Sequence, residues 1–293
     1  MDQAGVLREM KTSVMPPSIR QKRHNVNTRV IAITSGKGGV GKTNISANFA
    51  YLFARMGKRI LLLDADAGLA NIDVILGITP KYNLHHVLSG EKKLSEAVVE
   101  GPGGVKILPA SSGIPEMASL SKGQKFTLIE ELDGLDEDFD FMLIDTAAGI
   151  ADNVMYFNMV AGEIIVVASP EPTSLTDAYA VIKVLYQRFG TRQFALLVNM
   201  AKDSNEAGDV YKRLSNATNH FLDLPIEYLG YIPYDQNVTR AVKKQRLLAE
   251  AFPDSKAIKS MSKIVKALCR KEPNDPENST IKFFGRPIID QND

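Results

Sequence analysis

Short apolar runs rich in β-branched residues recur along the middle of the chain, each bounded by turn residues. Runs of this length and composition are typical of buried β-strands. They cover residues 29–34, 59–63, 105–108, 139–144, 163–168, 194–198 and 226–232.

Between these runs, apolar residues recur three or four positions apart, the spacing of an amphipathic helix. Two clear examples are Ile45, Phe49, Leu52, Phe53 and Met56, and Leu175, Tyr179, Ile182, Leu185 and Tyr186. Strands that alternate with helices predict an α/β fold, a doubly wound and mostly parallel sheet with helices on both faces. Such sheets bind ligands at the carboxyl ends of their strands.

The two ends of the chain lack this periodicity. Residues 1–28 contain Pro16-Pro17 and a polar, basic run, so we expect a flexible N-terminal arm. The predicted domain covers residues 29–270. Residues 271–293 begin as a polar spacer and continue into the apolar segment 281–289.

Charge and composition narrow the classes of function. The chain has 35 Lys and Arg against 34 Asp and Glu, a net charge of +1, which argues against direct DNA binding driven by a global field. The single cysteine, Cys269, gives no disulfide framework and no cysteine cluster for a metal. We find neither a signal peptide nor a run of eighteen apolar residues, so we expect a cytoplasmic protein.

A glycine-rich loop follows the first predicted strand and precedes the first predicted helix. Its glycines let successive backbone N–H groups point at phosphates, while Lys42 reaches the β- and γ-phosphates and the Thr43 hydroxyl joins the Mg²⁺ shell. We predict that this loop binds ATP through Gly36, Lys37, Gly38, Gly39, Val40, Gly41, Lys42, Thr43 and Asn44.

Carboxylates stand at the ends of two other predicted strands. Asp64 and Asp66 follow residues 60–63, and in an extended chain they would share one side, although a turn after Leu63 would change that. Asp145 ends the apolar run 141–144 and can hold an Mg²⁺-bound water. The Thr-Ala-Ala-Gly sequence after it can move with the γ-phosphate.

With Lys37 next to its first glycine, the loop resembles that of the deviant Walker A family, which includes the partition ATPases and the division-site ATPase MinD. The resemblance implies an ATP-dependent homodimer in which Lys37 touches the nucleotide of the opposite subunit. It also implies that Asp64 lies near Mg²⁺ together with Thr43 and Asp145, and that Asp66 positions the attacking water. Asp66, Lys37 and Lys42 would then carry a slow ATP hydrolysis. The alternatives are a solvated Lys37, and an Asp66 that caps a helix or sits in a turn.

Base recognition rests on the same resemblance. Asn199 stands where the family has an asparagine that contacts adenine, and an amide can both donate to and accept from a purine edge. Pro233 resembles the later family loop that borders the base. Ordinary strand-end and turn chemistry is the alternative for both residues.

Residues 64–73 match the DxDxGLxNxD pattern of the MinD-like ATPases. Residues 2–8 are similar to the DQAxxLR motif of the FlhG family, also called FleN or YlxH, the MinD-like regulators of flagellar number and placement. The resemblance implies that the arm stimulates the GTPase of the flagellar protein FlhF. The predicted partner-binding residues are Asp2, Gln3, Leu7 and Arg8. Flagellar switch-complex proteins and, in some bacteria, a flagellar master transcription regulator are the further partners that it implies.

Two segments are candidates for the peripheral membrane contact that this family commonly makes in one nucleotide state. Residues 256–270 carry an apolar stripe with lysines outside it, which also fits an ordinary packed core helix. Residues 281–289 are apolar, but Gly285 and Pro287 would interrupt a helix.

Two other functions compete with the ATP-driven switch. A DNA-partition ATPase would need a basic surface on the dimer, and the near-neutral charge and the N-terminal motif argue against it. A regulatory scaffold would bind nucleotide and hardly hydrolyse it. The iron–sulfur relatives of this fold lack support, because Cys269 stands alone.

Overall fold

The computed structural model describes residues 28–66, 71–110 and 120–271. Within these ranges, eight strands form one sheet: β1 (Arg29–Ser35), β2 (Ile60–Ala65), β3 (Val99–Glu100), β4 (Lys106–Leu108), β5 (Phe141–Ala148), β6 (Glu163–Ala168), β7 (Phe194–Ala201) and β8 (Glu227–Pro233). The strand order is β3-β4-β2-β5-β1-β6-β7-β8. All pairings are parallel except that of β3 with β4.

Helices connect the strands. They are α1 (Lys42–Arg55), α2 (Ile72–Leu76), α3 (Leu84–Leu88), α4 (Leu94–Ala97), α5 (Lys122–Asp133), α6 (Asp152–Val160), α7 (Pro172–Phe189), α8 (Ser204–Leu222), α9 (Gln236–Lys243), α10 (Leu248–Ala251) and α11 (Lys256–Arg270). Because every second strand residue points to the same face, the sheet separates two layers of core. Side chains of α1 and α11 fill one layer, and those of α5, α6, α7 and α8 fill the other.

The predicted doubly wound, mostly parallel sheet is confirmed. Each predicted strand is present, and five of them run on beyond the apolar stretch: β1 extends to Ser35, β2 to Ala65, β5 to Ala148, β7 to Ala201 and β8 to Pro233. Hydrophobicity missed most of these ends because polar residues interrupt the apolar run there. It also missed the edge strand β3, which is only two residues long.

The C-terminal helix α11 is part of the core. Its apolar stripe, which includes Ile258, Met261 and Leu268, is buried against α1 and β8. Of the two interpretations of residues 256–270, the structure therefore shows the packed core helix. An apolar stripe that lies on a bilayer would have to leave this core, so the structure favours the packed helix over that alternative.

Several predictions concern residues outside the described ranges. The arm motif with Asp2, Gln3, Leu7 and Arg8, the tail segment 281–289 and part of the 64–73 pattern all lie there. Among the described residues, no helix combines the length and hydrophobicity needed to cross a bilayer.

Candidate active site

The glycine-rich loop links the end of β1 to the start of α1 at the carboxyl edge of the sheet. Gly41 occupies the N-cap position of α1 with φ +92°, and Gly39 has φ +79°. Both values lie in the left-handed region that glycine adopts without strain. The first turn of α1 thus presents free backbone N–H groups beside the loop, which suits a phosphate.

Gly36 is required for a different reason, which is close packing. A Cβ atom on Gly36 would come within 2.1 Å of the Asp177 carbonyl oxygen on α7. A Cβ on Gly38 would meet nothing within 4 Å. The loop is therefore pressed against α7 at its first glycine and open at its second.

Lys42 is buried at the start of α1. Its Nζ donates a hydrogen bond of 2.8 Å to Ser35 Oγ, and Ser35 Oγ in turn donates to the Lys37 carbonyl oxygen at 2.8 Å. Burial lowers the pKa of Lys42, and the nearby negative charges of Asp145 and Asp66 partly offset this. A cation this poorly solvated gains strongly from a bound polyphosphate.

Asp64 and Asp145 are buried neighbours on adjacent strands. They are register partners of β2 and β5, and each side chain is 1% exposed. Burial, and then the Asp145 charge, raise the pKa of Asp64 well above its ordinary value. Burial also raises the pKa of Asp145 to about 6, against the opposing effects of Thr43, Lys42 and Ser46. A cation between the two carboxylates would remove most of this penalty.

The Asp145 carboxylate shows how well this site fits Mg²⁺. Its Oδ1 accepts a hydrogen bond of 3.0 Å from Ser46 Oγ, whereas its buried Oδ2 has no hydrogen-bonding partner among the described residues. A buried, unpaired carboxylate oxygen is costly unless a ligand satisfies it. Asp145, Asp64 and the Thr43 hydroxyl offer oxygen atoms of the kind that Mg²⁺ and its bound waters prefer, and they would leave the rest of the Mg²⁺ shell to phosphates and water.

Asp66 lies just beyond the end of β2. Its backbone N–H donates to Asp64 Oδ1 at 3.0 Å. β2 runs on to Ala65, so no turn follows Leu63. Helix α2 begins at Ile72 with Asn71 in the N-cap position, so Asp66 does not cap this helix. Asp66 is close enough to influence the pKa values of Lys42 and Asp145.

Lys37 projects from the outer side of the loop. Its Nζ forms an ion pair with Glu171 and donates to Thr173 Oγ1 at 2.9 Å, at the start of α7 in the same chain. The Lys37 side chain is 35% exposed. In this chain Lys37 is thus held at the surface by contacts with the start of α7. Both the cross-subunit role and the solvated-lysine alternative stay predictions.

Asn199 connects β7 to the loop. Its Nδ2 donates to the Val40 carbonyl oxygen at 2.7 Å. The amide keeps a second N–H and its carbonyl oxygen for a base, so the predicted purine contact stays a prediction. The next residue, Met200, has φ +61° at a break in the strand register, and its side chain is 40% exposed. Pro233 ends β8 beside Ala201.

Sequence reasoning missed several contacts of this site. Ser46 lies four residues after Lys42, and that spacing places both on one side of α1. Glu171 and Thr173 follow the carboxyl end of β6, an edge that the fold rule already marked as functional. Nothing in the sequence indicated the role of Ser35, because that role depends on where the Lys42 side chain lies in the folded protein.

Beside these residues lies an open cleft of about 440 Å³ between the ends of β6, β7 and β8. It is lined by Ser169, Pro170, Glu171, Met200, Lys202, Glu206, Tyr234 and Lys256. Its walls carry both charge signs and the exposed Met200 and Tyr234 side chains. The cleft is therefore a polar surface feature rather than an enclosed apolar pocket.

Proteins that end a central parallel strand in such a loop, with a strand-end carboxylate one strand away, are P-loop NTPases. The second lysine, Lys37, places this chain in the deviant Walker A class of them. The model of the ParA family, described as NUBPL iron-transfer P-loop NTPase, matches residues 26–269. Within the described residues, no group of three or more His, Cys, Asp and Glu side chains is arranged to hold a metal ion.

Individual relatives narrow the assignment. The antiactivator FleN of Pseudomonas aeruginosa is 48% identical over 229 residues, which is 78% of this chain and 82% of FleN. The flagellum site-determining protein YlxH of Helicobacter pylori is 35% identical and covers 84% of this chain and 83% of its own. The chain belongs to the ParA family of P-loop NTPases and, within it, to the FlhG family of MinD-like proteins that includes FleN and YlxH.

Solved structures agree with this fold. MinD of Pyrococcus horikoshii, complexed with Mg-ADP, has a TM-score of 0.65 and 27% identity, and the match covers 83% of this chain and 96% of that one. The MinC:MinD cell division complex of Aquifex aeolicus has a TM-score of 0.67 and 28% identity, with 86% and 99% covered. The P-loop fold, and nucleotide with Mg²⁺ in a protein of this fold, are thus established.

Proposed function

We propose that this protein is an ATP-dependent dimerising switch with slow ATPase activity that regulates flagellar number and placement. The observation that carries the proposal is that the two loop lysines lie in different environments. Lys42 is buried beside Asp145, where it would bind the phosphates of its own nucleotide. Lys37 is at the surface, where it could reach a nucleotide in a second copy of the chain. The relationship to FleN and YlxH supports the flagellar role.

In the proposed reaction the protein forms no covalent bond to the substrate and acts by positioning groups and neutralising charge. The loop N–H groups and Lys42 would hold the phosphates and neutralise their charge, and Thr43, Asp64 and Asp145 would hold Mg²⁺, which supplies further charge neutralisation when bound. Asp66 would orient the attacking water. The neighbouring Asn199 and Pro233 would hold the adenine base.

The ATPase part of the proposal depends on Asp66. We expect Asp66→Ala to bind ATP and to lose most hydrolysis, because water would no longer be oriented. Phosphate release measured for the wild-type protein and this variant checks the assignment. Equal rates, with FlhF present, would favour a scaffold that hardly hydrolyses ATP.

Dimerisation is tested by the elution of the protein in size-exclusion chromatography with light scattering. The hydrolysis-deficient Asp66→Ala protein should elute as a dimer with Mg-ATP and as a monomer with Mg-ADP. Adding Lys37→Ala should return it to a monomer, whereas Lys212→Ala, at an exposed position on α8, should not. A Lys37→Ala protein that still dimerises would exclude the cross-subunit role.

The N-terminal arm, which lies outside the described residues, is proposed to stimulate the FlhF GTPase. GTP hydrolysis by FlhF should rise with the wild-type protein and should not rise with Gln3→Ala/Arg8→Ala. Both proteins should have the same ATPase rate, because neither Gln3 nor Arg8 is among the residues assigned to the nucleotide site. Switch-complex proteins and a master transcription regulator remain further proposed partners. We propose that the protein is cytoplasmic and associates peripherally with the membrane in one nucleotide state.

A further inference from the structure

One wall of the open cleft is formed by residues that are far apart in the sequence. Tyr234 directly follows strand β8, and Lys256 is the first residue of helix α11. Met200, near the end of β7, lines the same cleft. The shape of the cleft therefore depends on how the loop after β8 and the start of α11 are held together.

Asp235, the residue after Tyr234, joins these two segments. It is buried, and its two carboxylate oxygens have different partners. Oδ1 accepts a hydrogen bond of 2.9 Å from the Asn237 backbone N–H in the first turn of α9. Oδ2 accepts a hydrogen bond of 3.3 Å from the Ala257 backbone N–H in the first turn of α11, 22 residues further along the chain. One side chain therefore binds the N-terminal ends of two helices.

The bond to α11 does more than begin that helix. The first N–H groups of a helix have no partner within the helix, and a negative charge near them is favourable. In α11 this need is already met in part by Ser255, whose Oγ accepts from the Ile258 N–H at 3.2 Å. The distinct effect of Asp235 is to fix the position of α11 relative to the loop after β8.

The same loop is also fixed to strand β7. The Tyr234 backbone N–H donates to the Ala201 carbonyl oxygen at 2.9 Å. Ala201 lies two residues after Asn199, whose side chain binds the Val40 carbonyl oxygen in the glycine-rich loop. A continuous series of hydrogen-bonded segments thus runs from the phosphate-binding loop, through Tyr234 and Asp235, to the start of α11.

An ordinary helix cap has a different arrangement, which Asp203 illustrates. Its Oδ1 accepts from the Asn205 and Glu206 backbone N–H groups at 2.9 and 3.0 Å, and both bonds stay within α8. Asp235 instead divides its oxygens between two helices, between the two residues that form one wall of the cleft. We propose that Asp235 is a positioning residue for nucleotide binding, which holds Tyr234 and Lys256 so that the cleft receives the nucleoside part of the nucleotide.

The cleft has the size and the surface for such a group. Its volume of about 440 Å³ lies within the range of small-molecule sites, roughly 300–1,000 Å³. The exposed Tyr234 ring and Met200 thioether offer apolar surface to a flat heterocycle. This inference rests on the proposed function, in which Asn199 and Pro233 hold the base, and it adds the residue that keeps the wall of the base site in place.

The test compares two ligands that share a diphosphate, Mg-ADP and Mg-pyrophosphate, by isothermal titration calorimetry on the full chain. The variant Asp235→Asn keeps the size of the side chain and one oxygen for Asn237, but it turns an amide N–H₂ group toward the Ala257 N–H. The affinity for ADP should fall roughly 5- to 10-fold, the effect of one lost buried hydrogen bond. The affinity for pyrophosphate should stay unchanged, because this ligand has no nucleoside.

The matched control is Asp203→Asn, next to Lys202 of the same cleft. It makes the same chemical change, but both bonds of Asp203 go to one oxygen, which the amide retains. Both ligands should bind to it as they bind to the wild type. Asp235→Ala removes both bonds of Asp235 and should weaken ADP binding further, again without an effect on pyrophosphate.

The outcomes separate this inference from the proposed function. If Asp235→Asn loses affinity for ADP and pyrophosphate equally, including through unfolding, Asp235 supports the fold in general and the positioning role is overturned. An unchanged affinity for ADP overturns it as well. In both cases a wild-type protein that binds ADP more tightly than pyrophosphate leaves the base assignment of the proposed function intact. If the wild type binds ADP no more tightly than pyrophosphate, both are overturned.

Discussion

At the scale of single residues, the nucleotide site stores an unfavourable charge arrangement. Asp64 and Asp145 are register partners with raised pKa values, and one oxygen of Asp145 has no partner among the described residues. Burial close to another carboxylate costs free energy in the absence of a cation. Bound nucleotide and Mg²⁺ would relieve this free-energy cost. Ligand binding is thereby coupled to the conformation of the strand ends that carry the two carboxylates.

This arrangement predicts how stability depends on pH. Because the pKa of Asp145 is raised from 3.8 to about 6, the folded protein keeps a proton that the unfolded chain has lost in this interval. The stabilisation is complete below about pH 4 and is lost as the pH rises through about 6, an effect on the order of 3 kcal/mol. In the absence of nucleotide, Asp145→Asn should therefore unfold at a higher temperature than the wild type at pH 7.5 and should lose this advantage at pH 4.5.

The control is Asp138→Asn, which changes an exposed carboxylate. Its melting temperature should differ little from that of the wild type at either pH. If Asp145→Asn were less stable than the wild type at pH 7.5, the buried carboxylate would not carry the proposed cost. Differential scanning calorimetry provides both measurements.

Gly36 and Gly38 provide a second test at this scale. Gly36→Ala would push a methyl group into the Asp177 backbone, and relief of that overlap should cost about 1–3 kcal/mol or more. Gly38→Ala meets open space and should leave the melting temperature nearly unchanged. Equal melting temperatures for the two variants would show that the loop does not pack on α7 as described.

At the scale of elements, Arg29 connects its own strand β1 to strand β6 and to helix α11. Its guanidinium group pairs with Glu163 of β6 through two bonds of 2.8 and 2.9 Å and donates to the carbonyl oxygens of Leu268 and Lys271 at 2.5 and 2.9 Å. It also lies over the Phe141 ring. The C-terminal end of α11 is thus held against β1 and β6.

Arg29→Met should strongly destabilise the domain. It would leave Glu163, whose side chain is 13% exposed, without its cation, and breaking a largely buried pair in this way costs up to about 3–5 kcal/mol. The matched control is Arg59→Met, whose ion pairs with Asp138 and Asp140 are exposed and are worth about 0–1 kcal/mol. Urea unfolding measures both values, and a small effect at Arg29 would refute the proposed clamp.

Asn199 makes a comparable connection at the carboxyl ends of the strands, opposite the ends where Arg29 lies. Asn199→Ala removes the hydrogen-bond donor to the Val40 carbonyl oxygen and should loosen the glycine-rich loop that precedes α1. The affinity for nucleotide should then fall roughly 5- to 10-fold, the effect of one lost buried hydrogen bond. Fluorescent ADP titration measures the loss. An unchanged affinity would show that the loop keeps its conformation without this bond.

At the scale of the whole molecule, the central strands β2, β5 and β1 bring together residues that are far apart in the sequence. Mg-ATP at 100 times its Kd should stabilise the Asp66→Ala protein by about 2.7 kcal/mol. Chelation of Mg²⁺ should remove much of this stabilisation, because the carboxylates would then face the phosphates without a cation. Thermal unfolding with and without EDTA tests this, and insensitivity to EDTA would contradict the assigned metal ligands.

The sequence by itself determined the alternating strands and helices, the phosphate-binding loop and the identity of the strand-end carboxylates. It could do so because hydrophobic periodicity and a contiguous motif are local properties. The tertiary structure decided what depends on distant partners: Ser46 and Lys42 beside Asp145, Glu171 beside Lys37, and Gly36 against Asp177. It also decided where the apolar stripe of α11 lies. The same stripe fits a bilayer or a protein core, and only its packing against α1 and β8 shows that it belongs to the core.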